Sequence, residues 1–334
     1  MTLELVIKNS LIKHWKGNMI KFYLKKKGRI SLYTQDSFET LPAKEEILWI
    51  DITFPSQNDF KIIENEYNLE FPTRQESQEI EVSSRFWEDE DDITINSFFM
   101  ISEDKHSYNE SISFILKDHM LITIRYREFK TFNDCEKKLL SAPNLFISGY
   151  DVFGYILESR IDIDADIIEN LSRSVTTLRK QLFSDEADNE DILEIISRFE
   201  DMNTMIRDSL IDKQRIISSM LKSPKVPQSL LNNLKIMIKD VNSLIEYTKY
   251  NFDRLDYIQD IFLGLLGIEQ NKVVKIFTVV SVIFLPPTLI ASIYGMNFEF
   301  MPELDWLFGY PFSLGLMLVS AILPIFIFKK KGWL

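Results

Sequence analysis

IFTVVSVIFLPPTLIASI, Ile276 to Ile293, runs for 18 residues without a charge. With Val273 and Val274 ahead of Lys275, it approaches the ~20 apolar residues that a membrane-spanning helix needs. A second uncharged run, PFSLGLMLVSAILPIFIF, covers Pro311 to Phe328. A buried helical hairpin in a soluble core is the competing reading, but uncharged runs this long are rare in such cores. The flanks set the orientation. Lys272 and Lys275 precede the first run, Lys329, Lys330 and Lys331 follow the second, and the loop from Tyr294 to Tyr310 holds no Lys or Arg. The positive-inside rule then places both ends in the cytoplasm and the loop outside. Tyr294, Trp306, Tyr310 and Trp333 flank the runs as interfacial aromatics do.

The rest of the chain is polar and acidic. Over 334 residues the net charge is -12, which argues against nucleic acid as a partner. From Ile276 onward three acids (Glu299, Glu303, Asp305) balance three bases (Lys329, Lys330, Lys331), so the excess lies in the first 275 residues, 47 acids against 35 bases. The opening MTLELVIKNS is too polar for a signal sequence, and Lys8 comes too early for its apolar core. Cys135 is the one cysteine, so an internal disulfide and a multi-cysteine zinc site are excluded, and a buried spectator thiol is expected. His14, His106 and His119 lack metal-ligand spacing and read as structural residues.

Up to about Ser141, strand-like runs alternate with helical ones. Leu48–Thr53, Ile93–Ile101, SISFILK and MLITIRY read as strands, with a hairpin turn at Lys117-Asp118-His119. DFKIIENEYNL and Asp134–Leu140 read as helices. The expectation is an α+β domain with a mixed sheet over residues 1–145, then a long helical hairpin over 146–227. Its arms are Tyr150–Phe183 and Asn189–Leu221, separated by the cap-rich SDEADNED. After Pro227 no proline appears until Pro286, so one helix is expected from Ser229 to Ile293, ~100 Å at ~1.5 Å per residue. Residues 228–275 form its stalk and 276–293 the first span. A loop over 294–310, a second span over 311–328 and a basic tail over 329–334 complete the chain. Gly264 and Gly267 weaken or bend the stalk.

The first span carries four hydroxyls, Thr278, Ser281, Thr288 and Ser292, at i, i+3, i+10 and i+14. At ~100° per residue they fall within ~80° of arc. Leu285 shares the stripe, which extends back to Val274 and Asn271 and forward to Gly295. A polar seam in lipid faces protein or water. One hairpin cannot enclose a pore, so a pore demands a ring of subunits. The bland reading is that the hydroxyls pack helices or bond back to their own carbonyls. Along the stalk, Glu246, Asp253, Asp256 and Asp260 share a face with Lys249. That is a solvated face with i,i+4 pairing or a hard-cation site, since Mg2+ takes one or two carboxylates and keeps its waters. The acidic WEDEDD, Trp87 to Asp92, reads as loop or hairpin surface.

Gly295-Met296-Asn297 at the end of the first span, followed by Met-Pro-Glu-Leu and a second span, resembles the CorA family of magnesium channels. The matching text is YGMNFEFMPELDWLFGYP, Tyr294 to Pro311. The closing FKKKGWL resembles the family's basic C-terminus, and FPTRQESQEIEVSSRF, Phe71 to Phe86, is similar to a segment of its cytoplasmic domain. The resemblance implies a homopentameric funnel in the inner (plasma) membrane, both termini cytoplasmic, in contact with lipid and divalent cations. It implies a pore lined by Asn271, Val274, Phe277, Ser281, Leu285 and Thr288, five of which the stripe also contains; Phe277 lies at its edge. It implies a selectivity filter at Gly295, Met296 and Asn297, where a ring of neutral amides holds a hydrated ion weakly enough to release it. Glu299 and Glu303 would concentrate cations outside. A helix C-cap is the alternative role for Asn297. Val274 and Leu285 would form apolar constrictions. Regulatory Mg2+ would bind between cytoplasmic domains at Asp260, with Asp253 and Asp256 beside it. The partner segment reads Gln75-Glu76-Ser77, where two adjacent acids are expected, so Glu76 or Glu79 would substitute.

Two other readings stay open. A transporter of Co2+, Ni2+ or Zn2+ could use the same scaffold, although the stripe offers no His, Cys or carboxylate for dehydrated zinc. A membrane-anchored enzyme would need a catalytic motif, and the chain has no P-loop, dinucleotide fingerprint, HExxH or GxSxG.

Overall fold

The computed structural model describes residues 19–34, 41–79, 81, 84–103, 106–183, 189–297, 299, 301–303 and 305–332, with the side chains of 189 and 190 left aside. His14, Trp333 and most of the expected SDEADNED turn lie outside these residues. The chain divides into two compact units, Met1–Tyr257 and Ile258–Leu334.

Among the described residues, the first unit is built on a seven-stranded mixed sheet. Its strands are β1 (Met19–Lys26), β2 (Arg29–Thr34), β3 (Ile47–Thr53), β4 (Phe86–Glu88), β5 (Asp92–Glu103), β6 (His106–Lys117) and β7 (Met120–Arg125). They lie in the order β2-β1-β3-β7-β6-β5-β4. Only β3 and β7 pair in parallel, Trp49 opposite Leu121 and Ile52 opposite Ile124; the other pairs are antiparallel. Every residue of β3 and β7 is buried, as befits strands covered on both faces, and their buried charges pair with each other, Arg125 Nη2 with Asp51 at 2.9 Å. The expected hairpin turn sits at Asp118, whose φ of 52° is the left-handed conformation that an Asp tolerates.

Each sheet face has its own core. On one, Ile20, Phe22, Ile50, Ile52, Ile122 and Ile124 pack with Ile63 and Tyr67 of α1 (Gln57–Tyr67). Ser56 starts that helix with a capping box to Asp59. The other face carries Tyr23, Trp49, Phe99, Phe114 and Leu121. Against it pack Phe132 and Leu139 of α3 (Lys130–Ser141) and Phe153 and Ile156 of α4 (Gly149–Gln181). Ile206 and Leu210 of α5 (Asn189–Met220) and Leu230 and Leu234 of α6 (Gln228–Tyr294) join the same core. The helical hairpin and the sheet therefore share one core. Cys135 is buried there as a free thiol.

Charged side chains are buried with partners where the hairpin meets the sheet. Lys213 and Arg160 flank Asp164 at 3.1 and 2.6 Å, and their nitrogens also donate to the Phe98 and Met100 carbonyls. The helix α6 runs for 67 residues with Pro286 and Pro287 inside it. It is followed by α7 (Gly309–Lys330).

Candidate ion pathway and acidic faces

Both apolar runs form helices long and apolar enough to cross a membrane, and their most apolar windows are 0% and 6% buried within the chain. A hairpin hidden in a soluble core would be mostly buried, so that reading does not hold. Phe277, Leu285, Leu314, Leu318 and Phe326 are exposed. So much open apolar surface calls for lipid or a partner to cover it.

On α6 the two threonines bond back to their own helix, Thr278 Oγ1 donating to the Val274 carbonyl at 2.8 Å and Thr288 Oγ1 to the Phe284 carbonyl at 2.7 Å. The bland reading of the stripe thus holds for these two hydroxyls. Ser281, Leu285, Thr288 and Ser292 come together with Phe284 and Leu289 along one open groove of about 510 Å3. Thr278 lies outside that groove; Asn271, Val274 and Phe277 are exposed further back on the helix.

The helix ends at Tyr294. Its last turn is closed by the Gly295 and Met296 amides, which donate to Ala291 and Ile293 at 3.0 and 3.2 Å. The capping role considered for Asn297 is therefore filled by its two predecessors, and Asn297 follows them exposed. Glu299 and Glu303 are exposed as well. Glu303 lines a cavity of about 400 Å3 with Tyr294, Gly295, Trp306, Gly309 and Ser313. A Cβ on Gly309 would run into the Glu303 carbonyl, so only glycine fits where α7 begins. Phe298, Phe300 and Leu304 lie outside the described residues. Lys329 and Lys330 close α7 at its negative dipole end, and Lys331 is its C-cap.

Glu246, Asp253, Asp256 and Asp260 are all exposed on α6. Glu200 of α5 joins this acidic neighbourhood: burial, then the charges of Asp256 and Asp201, hold its carboxyl above the usual range. Sequence reasoning missed Glu200, because only helix pairing brings it near Asp256. The segment carrying Glu76 folds as a short helix, α2 (Arg74–Gln78), started by a capping box between Thr73 and Glu76. The Thr73 backbone and hydroxyl bonds hold the Glu76 carboxyl below its usual range. Ser77 points inward, 3% exposed, and its hydroxyl donates to the Arg74 carbonyl at 2.9 Å. The acids this segment offers to solvent are Glu76 and Glu79. With Glu70, Asp89 and Asp92 they rim a cavity of about 420 Å3. Asp89 and Asp92 come from the WEDEDD stretch, which turns between β4 and β5 as expected. Among the described residues, no three or more His, Cys, Asp or Glu side chains are grouped to hold a metal within one chain.

Comparison with known proteins agrees with this architecture. Residues 44–330 match the family described as CorA-like Mg2+ transporter protein. The magnesium transport protein CorA of Wolinella succinogenes is 44% identical over 321 residues, covering 95% of this chain and 100% of the relative. That of Campylobacter jejuni is 40% identical over 327 residues, with the same coverage. The complete CorA magnesium transporter structure from Methanocaldococcus jannaschii superposes with a TM-score of 0.77, covering 96% of this chain and 99% of that one, at 23% identity. That likeness shows the fold: mixed sheet, long helix and two spans. The chain is a member of the CorA family of Mg2+ transporter proteins.

Proposed function

We propose that this protein conducts Mg2+ passively across the inner membrane as a homopentamer, with the first span of each subunit facing a central pore. The observation that carries the reading is the groove of Ser281, Leu285, Thr288 and Ser292, on the helix that ends at Gly295-Met296-Asn297. Family membership and relatives named as magnesium transport proteins support Mg2+ as the ion. Asn271, Val274, Phe277 and Thr278 continue the lining toward the cytoplasm. Thr278 and Thr288 have spent their protons on the helix, so they offer lone pairs, which suit the waters of a hydrated cation. Five Asn297 amides form the outer site, Glu299 and Glu303 raise the local cation concentration, and Lys329 to Lys331 stay cytoplasmic. Both termini are cytoplasmic in this reading.

Cytosolic Mg2+ closes the pore by binding between subunits. Asp260 contributes, with Asp253 and Asp256 beside it and Glu76 or Glu79 from the neighbour. No single chain groups such ligands among its described residues, which fits a site shared between copies.

The test is Asn297→Ala in proteoliposomes. Removing the amide ring should cut Mg2+ uptake by about tenfold or more and weaken competition by other divalents. Unchanged uptake and selectivity would sink the amide-ring assignment.

A further inference from the structure

The acids Glu76 and Glu79 sit on five residues of helix and a cap, too little structure to hold itself in place. What anchors it is a buried guanidinium. Arg85 is 2% exposed, and its Nη1 donates to the Ser77 carbonyl at 2.7 Å. The Ser111 hydroxyl of β6 donates to the same carbonyl. Arg85 is itself fixed on three sides. Its Nε donates to Asp212 Oδ1 of α5 at 2.8 Å, its guanidinium carbon lies 3.4 Å from the centre of the Phe98 ring, and its own carbonyl accepts from the Asn96 backbone N–H at 2.9 Å. Asp212 in turn accepts from the Phe98 amide at 2.8 Å and the Ser97 hydroxyl at 3.2 Å, so both carboxylate oxygens are used.

We propose that Arg85 is a positioning residue: with Asp212 it clamps the Ser77 carbonyl, sets where Glu76 and Glu79 stand, and ties them to α5. The planar fork matters. Separate N–H groups reach the Ser77 carbonyl and the Asp212 carboxylate at once, and a lysine ammonium on a flexible stem cannot reproduce that geometry. Ser77 explains itself here. Its small side chain turns inward so that its carbonyl meets the clamp, which leaves the neighbouring acid and the cap residue facing solvent. Any displacement of α5 against the sheet would break the Asp212 bonds and leave Arg85 without its carboxylate partner, loosening one of the two donors on the Ser77 carbonyl.

The inference rests on the reading of Glu76 and Glu79 as acids of the cytosolic feedback site. The experiment is Mg2+ uptake by full-length protein in proteoliposomes against increasing internal Mg2+, for the parent, Arg85→Lys, Ser111→Ala and the pair Glu76→Gln/Glu79→Gln. The clamp predicts that Arg85→Lys raises the internal Mg2+ needed for half suppression roughly tenfold, with uptake at low internal Mg2+ unchanged. Ser111→Ala, which removes one of two donors and no charge, should shift it in the same direction by less. If the paired Gln variant shifts suppression and both clamp variants leave it at the parent value, the clamp is wrong and the acids stand. If the paired Gln variant also leaves suppression unchanged, the feedback assignment of these acids falls, and the clamp's role in it falls too.

Discussion

In the proposed pore, Asn297 would meet a doubly charged ion with a neutral side chain. Mg2+ gives up its waters reluctantly, and a carboxylate ring at the pore mouth would hold it too long for conduction. The backbone around it supports this role, because the Gly295 and Met296 amides close the helix and leave the Asn297 amide for other work. Glycine matters at single positions for a different reason. A Cβ on Gly149 would meet the backbone of Met120 and Leu121, and the Gly149 amide already donates to the His119 carbonyl at 2.6 Å. Gly149→Ala should therefore destabilise the first unit by about 1–3 kcal/mol, read as a lowered unfolding midpoint of the purified protein. An unchanged midpoint would mean that the start of α4 and the β6–β7 turn are looser than described.

Among the elements, α6 was the most legible from sequence. The expectation of one helix from Ser229 to Ile293 agrees with Gln228–Tyr294 to within a residue at each end, because no proline interrupts it before Pro286. The long strands and hairpin helices were legible for the same reason. The hairpin of β1 and β2 was not. Ile20, Phe22 and Leu24 alternate with Lys21, but Tyr23 is buried on the opposite face and Lys25-Lys26 end the run, so the alternating stretch is too short to stand out. Its turn places Lys27 and Gly28 at positive φ, a signal of only two residues. The partnerships of buried charge were equally hidden, since Arg85 and Asp212 stand 127 residues apart. The same applies where Lys213 meets Asp164, both 0% exposed in their side chains. Burial pulls the Lys213 ammonium below its usual range, against the pull of Asp164. Truncating one partner strands a buried charge, so Asp164→Ala should cost about 3–5 kcal/mol. Replacing Asp164, Arg160 and Lys213 together by apolar residues should recover much of that loss. A triple variant as unstable as the single one would show that packing, not charge pairing, sets the cost.

For the whole molecule, the two long apolar helices and the acidic bulk were legible from uncharged runs and charge counting, and the proposed orientation rests on the positive-inside rule. How copies meet is a matter of surfaces that one sequence does not display. The proposed ring predicts a detergent-solubilised mass close to five times 39.3 kDa, and a monomer or dimer mass would contradict it. It also predicts that Asp260→Lys, which puts a cation where the feedback ion should bind, leaves uptake high at internal Mg2+ that suppresses the parent. Suppression equal to the parent's would remove Asp260 from the sensor. Transport by this chain is measured as Mg2+ uptake into liposomes reconstituted with the full-length protein, with Co2+, Ni2+ and Zn2+ as competitors and internal Mg2+ varied. Saturable Mg2+ entry that internal Mg2+ suppresses is expected; entry no faster than into protein-free liposomes would rule transport out.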